Sequence, residues 1–128
     1  MNLSDYKVNA VVAVSDIPRA KEFYEGKLDL RADEENQPPG VRRYTCAGDT
    51  WLDVYESPEH AGKSTATLVG WNVDDVERVV DELISRGVTF EQYDEPIKTD
   101  QKGIFTDGEV KAAWFKDPDG NTHAIGGR

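Results

Sequence analysis

The chain has 128 residues, enough for one domain with its own core. Its formal net charge of −10 argues against nucleic acid and anionic membrane surfaces as partners. That charge favours cationic or neutral partners only weakly, and solubility alone accounts for it. Cys46 is the only cysteine, so no intrachain disulfide forms, which fits a reducing compartment. Residues 1–15 lack a basic stretch followed by an apolar run, and no segment approaches membrane-spanning length. The expected location is the cytoplasm.

In chain order, Lys7 to Val14 reads as a buried strand. Ser15-Asp16-Ile17-Pro18 is a helix start, with Pro in the first turn. The helix is expected to run to about Lys27, with Ile17, Ala20, Tyr24 and Leu28 on one face and Phe23 beside them. Leu30 to Glu34 reads as a strand, and Asn36 to Gly40 as a loop. Val41 to Cys46 and Thr50 to Glu56 are strands around the tight turn Ala47-Gly48-Asp49. The second of these alternates, with Leu52 and Val54 on one face and Trp51, Asp53 and Tyr55 on the other.

Residues 58–65 are polar and read as a linker between a first module, 1–57, and a second, 66–128. Thr65 to Val73 is a strand. Asp74-Asp75 caps a helix whose Val76, Val79, Val80, Leu83 and Ile84 form an apolar stripe, and Gly87 ends it. Val88 to Gln92 reads as a strand and 93–103 as a long loop. Gly103 to Thr106 follows as a strand. A hairpin closes the chain: Val110 to Phe115, the turn Asp117-Pro118-Asp119-Gly120, then Asn121 to Ile125.

The two halves repeat. Val14 to Ala20 aligns with Val73 to Val79 at an offset of 59 residues, measured from Asp16 to Asp75. Each half reads strand, helix, strand, strand, strand. With the closing Asp-Pro-Asp-Gly-Asn hairpin, this plan resembles the vicinal oxygen chelate superfamily, which includes glyoxalase I, extradiol dioxygenases and bleomycin-resistance proteins. The resemblance implies an α+β fold of two βαβββ modules, forming a curved barrel-like sheet with helices on the outer face and a ligand cleft on the inner one. It also implies a homodimer.

In metal-using members of that superfamily, ligands come from the first and last strands of each module. The matching positions here are Asn9, Asp53, Leu68 and Ala124. Asp53 could ligate, Asn9 is a poor ligand, and Leu68 and Ala124 cannot ligate. No metal, cofactor or catalytic residue is therefore assigned. His123 lies one residue from Ala124 and should face the opposite side of its strand, toward the helix layer with Ile125. A register error of one residue would place it beside Asp53 instead. His60 reads as a solvated linker residue and Cys46 as a structural thiol.

Alternation gives the expected ligand face, with Asn9, Trp51, Asp53, Tyr55, Leu68, Gly70, Trp114 and Ala124 as its ligand-binding residues, to which the long second-half loop adds Phe105. Its aromatic groups suit a small organic ligand, aromatic or cationic, with Asp53 as an orienting charge. Either Trp51 or Trp114 could instead fill a core or a dimer contact. Trp71 is expected in the core. Tyr93, Ile104 and Phe105 are candidates to close over the ligand. The resemblance is nearest to the metal-independent, antibiotic-binding members of the bleomycin-resistance type. The alternative is a metal-dependent glyoxalase-type lyase or isomerase, or a dioxygenase.

Overall fold

The computed structural model describes residues 2–128, and its chain divides into two compact units, one ending at Ala61 and the other beginning at Gly62. Both are α+β and repeat one plan. The first contains β1 (Ala10–Val14), the helix α1 (Ile17–Lys21, continuing as a wider π-helical segment over Glu22–Lys27), β2 (Arg31–Ala32), β3 (Val41–Cys46) and β4 (Thr50–Glu56). The second contains β5 (Thr67–Val73), α2 (Val76–Ser85), β6 (Ile104–Asp107), β7 (Val110–Lys116) and β8 (Thr122–Gly127). The strand orders are β1-β4-β3-β2 and β5-β8-β7-β6. In each sheet the first and last strands of the unit lie parallel and the other pairings are antiparallel.

Alternation sets which side chains enter each core. Val12, Val14, Tyr44, Leu52 and Val54 are buried in the first unit with Ala20, Phe23 and Tyr24 of the helix. The helix passes to i+5 bonding at its end, where Leu28 N–H donates to Phe23 C=O. Adjacent Phe23 and Tyr24 are both buried there, and the Tyr24 ring stacks on Tyr44. Tyr44 carries its hydroxyl to the Glu25 carboxylate, donating at 2.9 Å, and Arg42 Nε donates to the same oxygen at 2.9 Å. This satisfies the polar end of an otherwise apolar layer.

In the second unit α2 buries Val76, Val80 and Leu83. Ile84 of the expected stripe is instead 41% exposed, because it lies at the edge of the helix face. The Asp75 carboxylate caps the start by accepting from Arg78 N–H at 3.1 Å. At the other end Gly87 takes φ 95°, Gly87 N–H donates to Ile84 C=O, and Val88 N–H donates to Leu83 C=O. That is a Schellman ending, and it turns Val88 back into the core.

Two expected strands are shorter than the sequence pattern suggests. Leu30 to Glu34 pairs only over Arg31–Ala32. Val88 to Gln92 makes a single bridge, Phe90 to Phe115. The outer position of the second sheet is filled mainly by β6, whose Ile104 lies opposite Ala113 on β7. An apolar run therefore marks burial there rather than extended pairing: Val88 and Phe90 are buried against the sheet without forming a ladder.

Candidate functional site

In each unit the sheet face turned away from the helix carries the side chains expected at a ligand site. On β4 these are Trp51, Asp53 and Tyr55, alternating with buried Leu52 and Val54. Cross-strand register places Val11, Asp53 and Arg43 in one row, and Ala13, Tyr55 and Val41 in the next. Asn9 lies just ahead of β1. Its side-chain oxygen accepts the Trp51 backbone N–H at 3.0 Å, so it is engaged in joining β1 to β4.

Asp53 is not a free carboxylate. Arg43 Nε donates to Oδ1 at 2.7 Å and Arg43 Nη2 donates to Oδ2 at 2.8 Å, a bidentate pair. The guanidinium also lies 4.3 Å from the centroid of the Trp51 ring. The sequence-based list omitted Arg43, and its expected charge on Asp53 is already matched within the protein. The signal was available in the turn. Cys46 pairs with Thr50 across Ala47–Asp49, and counting outward by three residues on each strand sets Arg43 opposite Asp53.

In the second unit Gly70, Ala124 and Trp114 form one cross-strand row. A Cβ built on Gly70 would meet nothing within 4 Å, so the space at Gly70 is open. Trp114 packs edge-on against Tyr93 at 5.7 Å between ring centroids. Phe105 lies opposite Ala112 in the neighbouring row. Leu68 stands at an irregularity in the β5–β8 register and is 44% exposed. Ile104, expected to close over a ligand, is buried in the core instead, because it shares the parity of Ala113.

His123 faces the helix side, on the same face as buried Ile125. It is fully buried, stacks on Phe115 with centroids 4.8 Å apart, and accepts from Trp71 Nε1 at 3.1 Å. Burial lowers its pKa from 6.5 to about 4, so the imidazole is neutral at pH 7. The same contact makes Trp71 part of this helix-side packing rather than of the open face. His60 is exposed but not merely solvated, since its Nδ1 lies 2.8 Å from Ser57 Oγ. Burial pushes the Cys46 thiol pKa up, the opposite of what activates a nucleophile. An open cleft of about 490 Å³ lies along Gln92 and Lys98 to Lys102, and none of the expected ligand residues lines it.

The four positions that would ligate a metal in this plan do not make a donor set. Asn9 bonds a backbone amide, Asp53 is held by Arg43, and Leu68 and Ala124 have no donor atom. Among the described residues, no three His, Cys, Asp or Glu side chains gather to hold an ion.

The model of the Glyoxalase/Bleomycin resistance protein/Dioxygenase superfamily matches residues 8–125. The chain belongs to that superfamily. Its fold is shared with solved members. A glyoxalase/bleomycin resistance protein from Catenulispora acidiphila is 25% identical, with a TM-score of 0.67 over 95% of this chain and 97% of its own. TnmS3, an antibiotic binding protein from a Streptomyces species, is 24% identical, with a TM-score of 0.68 over 94% and 93%. FosX, a fosfomycin resistance protein from Listeria monocytogenes, is 13% identical, with a TM-score of 0.67 over 96% and 93%. No curated protein matches the chain. No helix among the described residues is long and apolar enough to cross a membrane.

Proposed function

We propose that this superfamily member captures a small organic molecule stoichiometrically and without a metal, in the manner of the antibiotic-binding members. The observation that carries the reading is the chemistry at the four ligand positions. Two lack donors altogether, and the other two already bond within the protein. Each unit's open sheet face is by itself suited to apolar contact: Trp51 and Tyr55 on the first, and Trp114 with open space over Gly70 on the second. Affinity would come from burying flat apolar surface against these rings. TnmS3, an antibiotic binding protein, shares the fold and lends the reading support. A homodimer in the cytoplasm completes the proposal.

A glyoxalase-type reaction needs a metal to polarise adjacent oxygens. His123, the one residue that could have restored a ligand, is locked on the helix side by Phe115 and Trp71. The direct test is a tryptophan-fluorescence screen of planar organic compounds, including antibiotics, with Trp51→Phe and Trp114→Phe alongside. A saturable one-to-one ligand, bound at least tenfold more weakly by at least one of the two variants while both stay folded, is the expected result. Turnover of a substrate dependent on added metal would overturn it.

A further inference from the structure

On the first sheet's open face the polar group offered outward is Arg43, not Asp53. A guanidinium has five N–H donors, and Asp53 occupies two, those on Nε and Nη2. The remaining three have no acceptor among the described residues. Among those residues Nη1 bonds nothing and no buried side-chain nitrogen or oxygen lacks a partner, so the two Nη1 donors are reached by solvent. The Arg43 side chain is only 15% exposed and its carboxylate partner 13%. It is also fixed in place, pinned at one edge by Asp53 and along its plane by Trp51. A rigid donor fork of this kind loses little entropy when it bonds a ligand. Asp53 already has its charge matched by Arg43 through both oxygens, so it attracts a cation less than a lone carboxylate would.

Given the binding reading above, on which this rests, we infer that Arg43 sets the ligand class: planar molecules that present a hydrogen-bond-accepting oxygen at their edge, to the exclusion of organic cations. The guanidinium already covers one face of Trp51, so a ligand at this point meets Arg43 together with the part of the ring left uncovered, with Tyr55 one row away on the same strand.

The test uses two probes with one ring system, 2-acetonaphthone as the acceptor and 2-naphthylmethylammonium as the cation, titrated by calorimetry. The wild-type chain should bind the ketone at least tenfold more tightly. Arg43→Met should invert the order, because it removes the donors and leaves the Asp53 carboxylate unpaired on the same face. Arg43→Lys keeps a charge beside Asp53 but loses the planar fork. It should weaken the ketone severalfold without favouring the cation, and it serves if the Met variant fails to fold. Tighter binding of the ammonium by the wild type, an order unmoved by Arg43→Met, or ketone binding unchanged in Arg43→Lys would overturn the assignment of Arg43 while leaving the capture reading intact. Binding of neither probe, by wild type or variants, would overturn the capture reading and this inference with it.

Discussion

At the scale of single residues, His123 makes the sharpest demand on the fold. Its pKa is depressed by burial to about 4, whereas the unfolded chain titrates near 6.5. Above 6.5 both states carry neutral imidazole and the stability is fully present. As pH falls from 6.5 to 4 the unfolded state gains a proton first, so stability is lost across that window. The loss amounts to about 3 kcal/mol from this group alone. Denaturant melts at a series of pH values should show it, and His123→Gln should flatten the slope; an unchanged slope would mean that other groups set it. Gly70 makes the complementary demand on the site. Because its Cβ would meet open space, Gly70→Val should change stability by no more than about 1 kcal/mol. It should nonetheless weaken ligand capture at least tenfold by filling the face beside Ala124 and Trp114. Thermal melts paired with ligand titration separate the two effects. Arg43 shows what was hard to read at this scale. Alternation along β4 selects Trp51, Asp53 and Tyr55 but does not by itself reach β3; the partner of Asp53 follows only from the register across the Ala47–Asp49 turn.

At the scale of elements, the closing turn is a polar knot that holds the last hairpin. Asp117 is buried, and its carboxylate accepts from Asp119 N–H at 3.0 Å, Asn121 N–H at 2.9 Å and Asn121 Nδ2 at 2.8 Å. Asn121 Oδ1 in turn accepts from Gly62 N–H at 3.3 Å. A side chain on Gly62 would collide with the Asp119 carbonyl, so only glycine fits that approach. Asp117→Ala leaves several of these donors without an acceptor and should cost about 3 kcal/mol, read as a shift in the urea midpoint at constant slope. A shift under about 0.5 kcal/mol would show that the turn holds without its carboxylate. This turn was legible because Pro, Asp and Gly each act locally. The helices were legible for the same reason: Asp75 and Gly87 punctuate α2 where the sequence places them. The outer strands were not. Arg31–Ala32 and the single bridge at Phe90 depend on how much edge the neighbouring strand leaves unpaired, and side-chain type does not encode that.

At the scale of the whole molecule, the repeated βαβββ plan was readable from one offset. Duplicated helix caps at Asp16 and Asp75 fix equivalent strands on either side of each helix. Membership of the glyoxalase/bleomycin resistance/dioxygenase superfamily agrees with that plan over residues 8–125. The fold is hospitable to metal chemistry in general, and this chain differs at the ligand positions themselves. The decisive measurement is therefore calorimetric titration of the dialysed protein with Ni²⁺, Zn²⁺ and Fe²⁺, with elemental analysis of the starting material. Capture without a metal requires no stoichiometric metal and no saturable heat from any of the three ions. One tightly bound equivalent of metal per chain would contradict it, because Asn9, Asp53, Leu68 and Ala124 cannot supply the site and the chemistry would have to be sought elsewhere in the molecule.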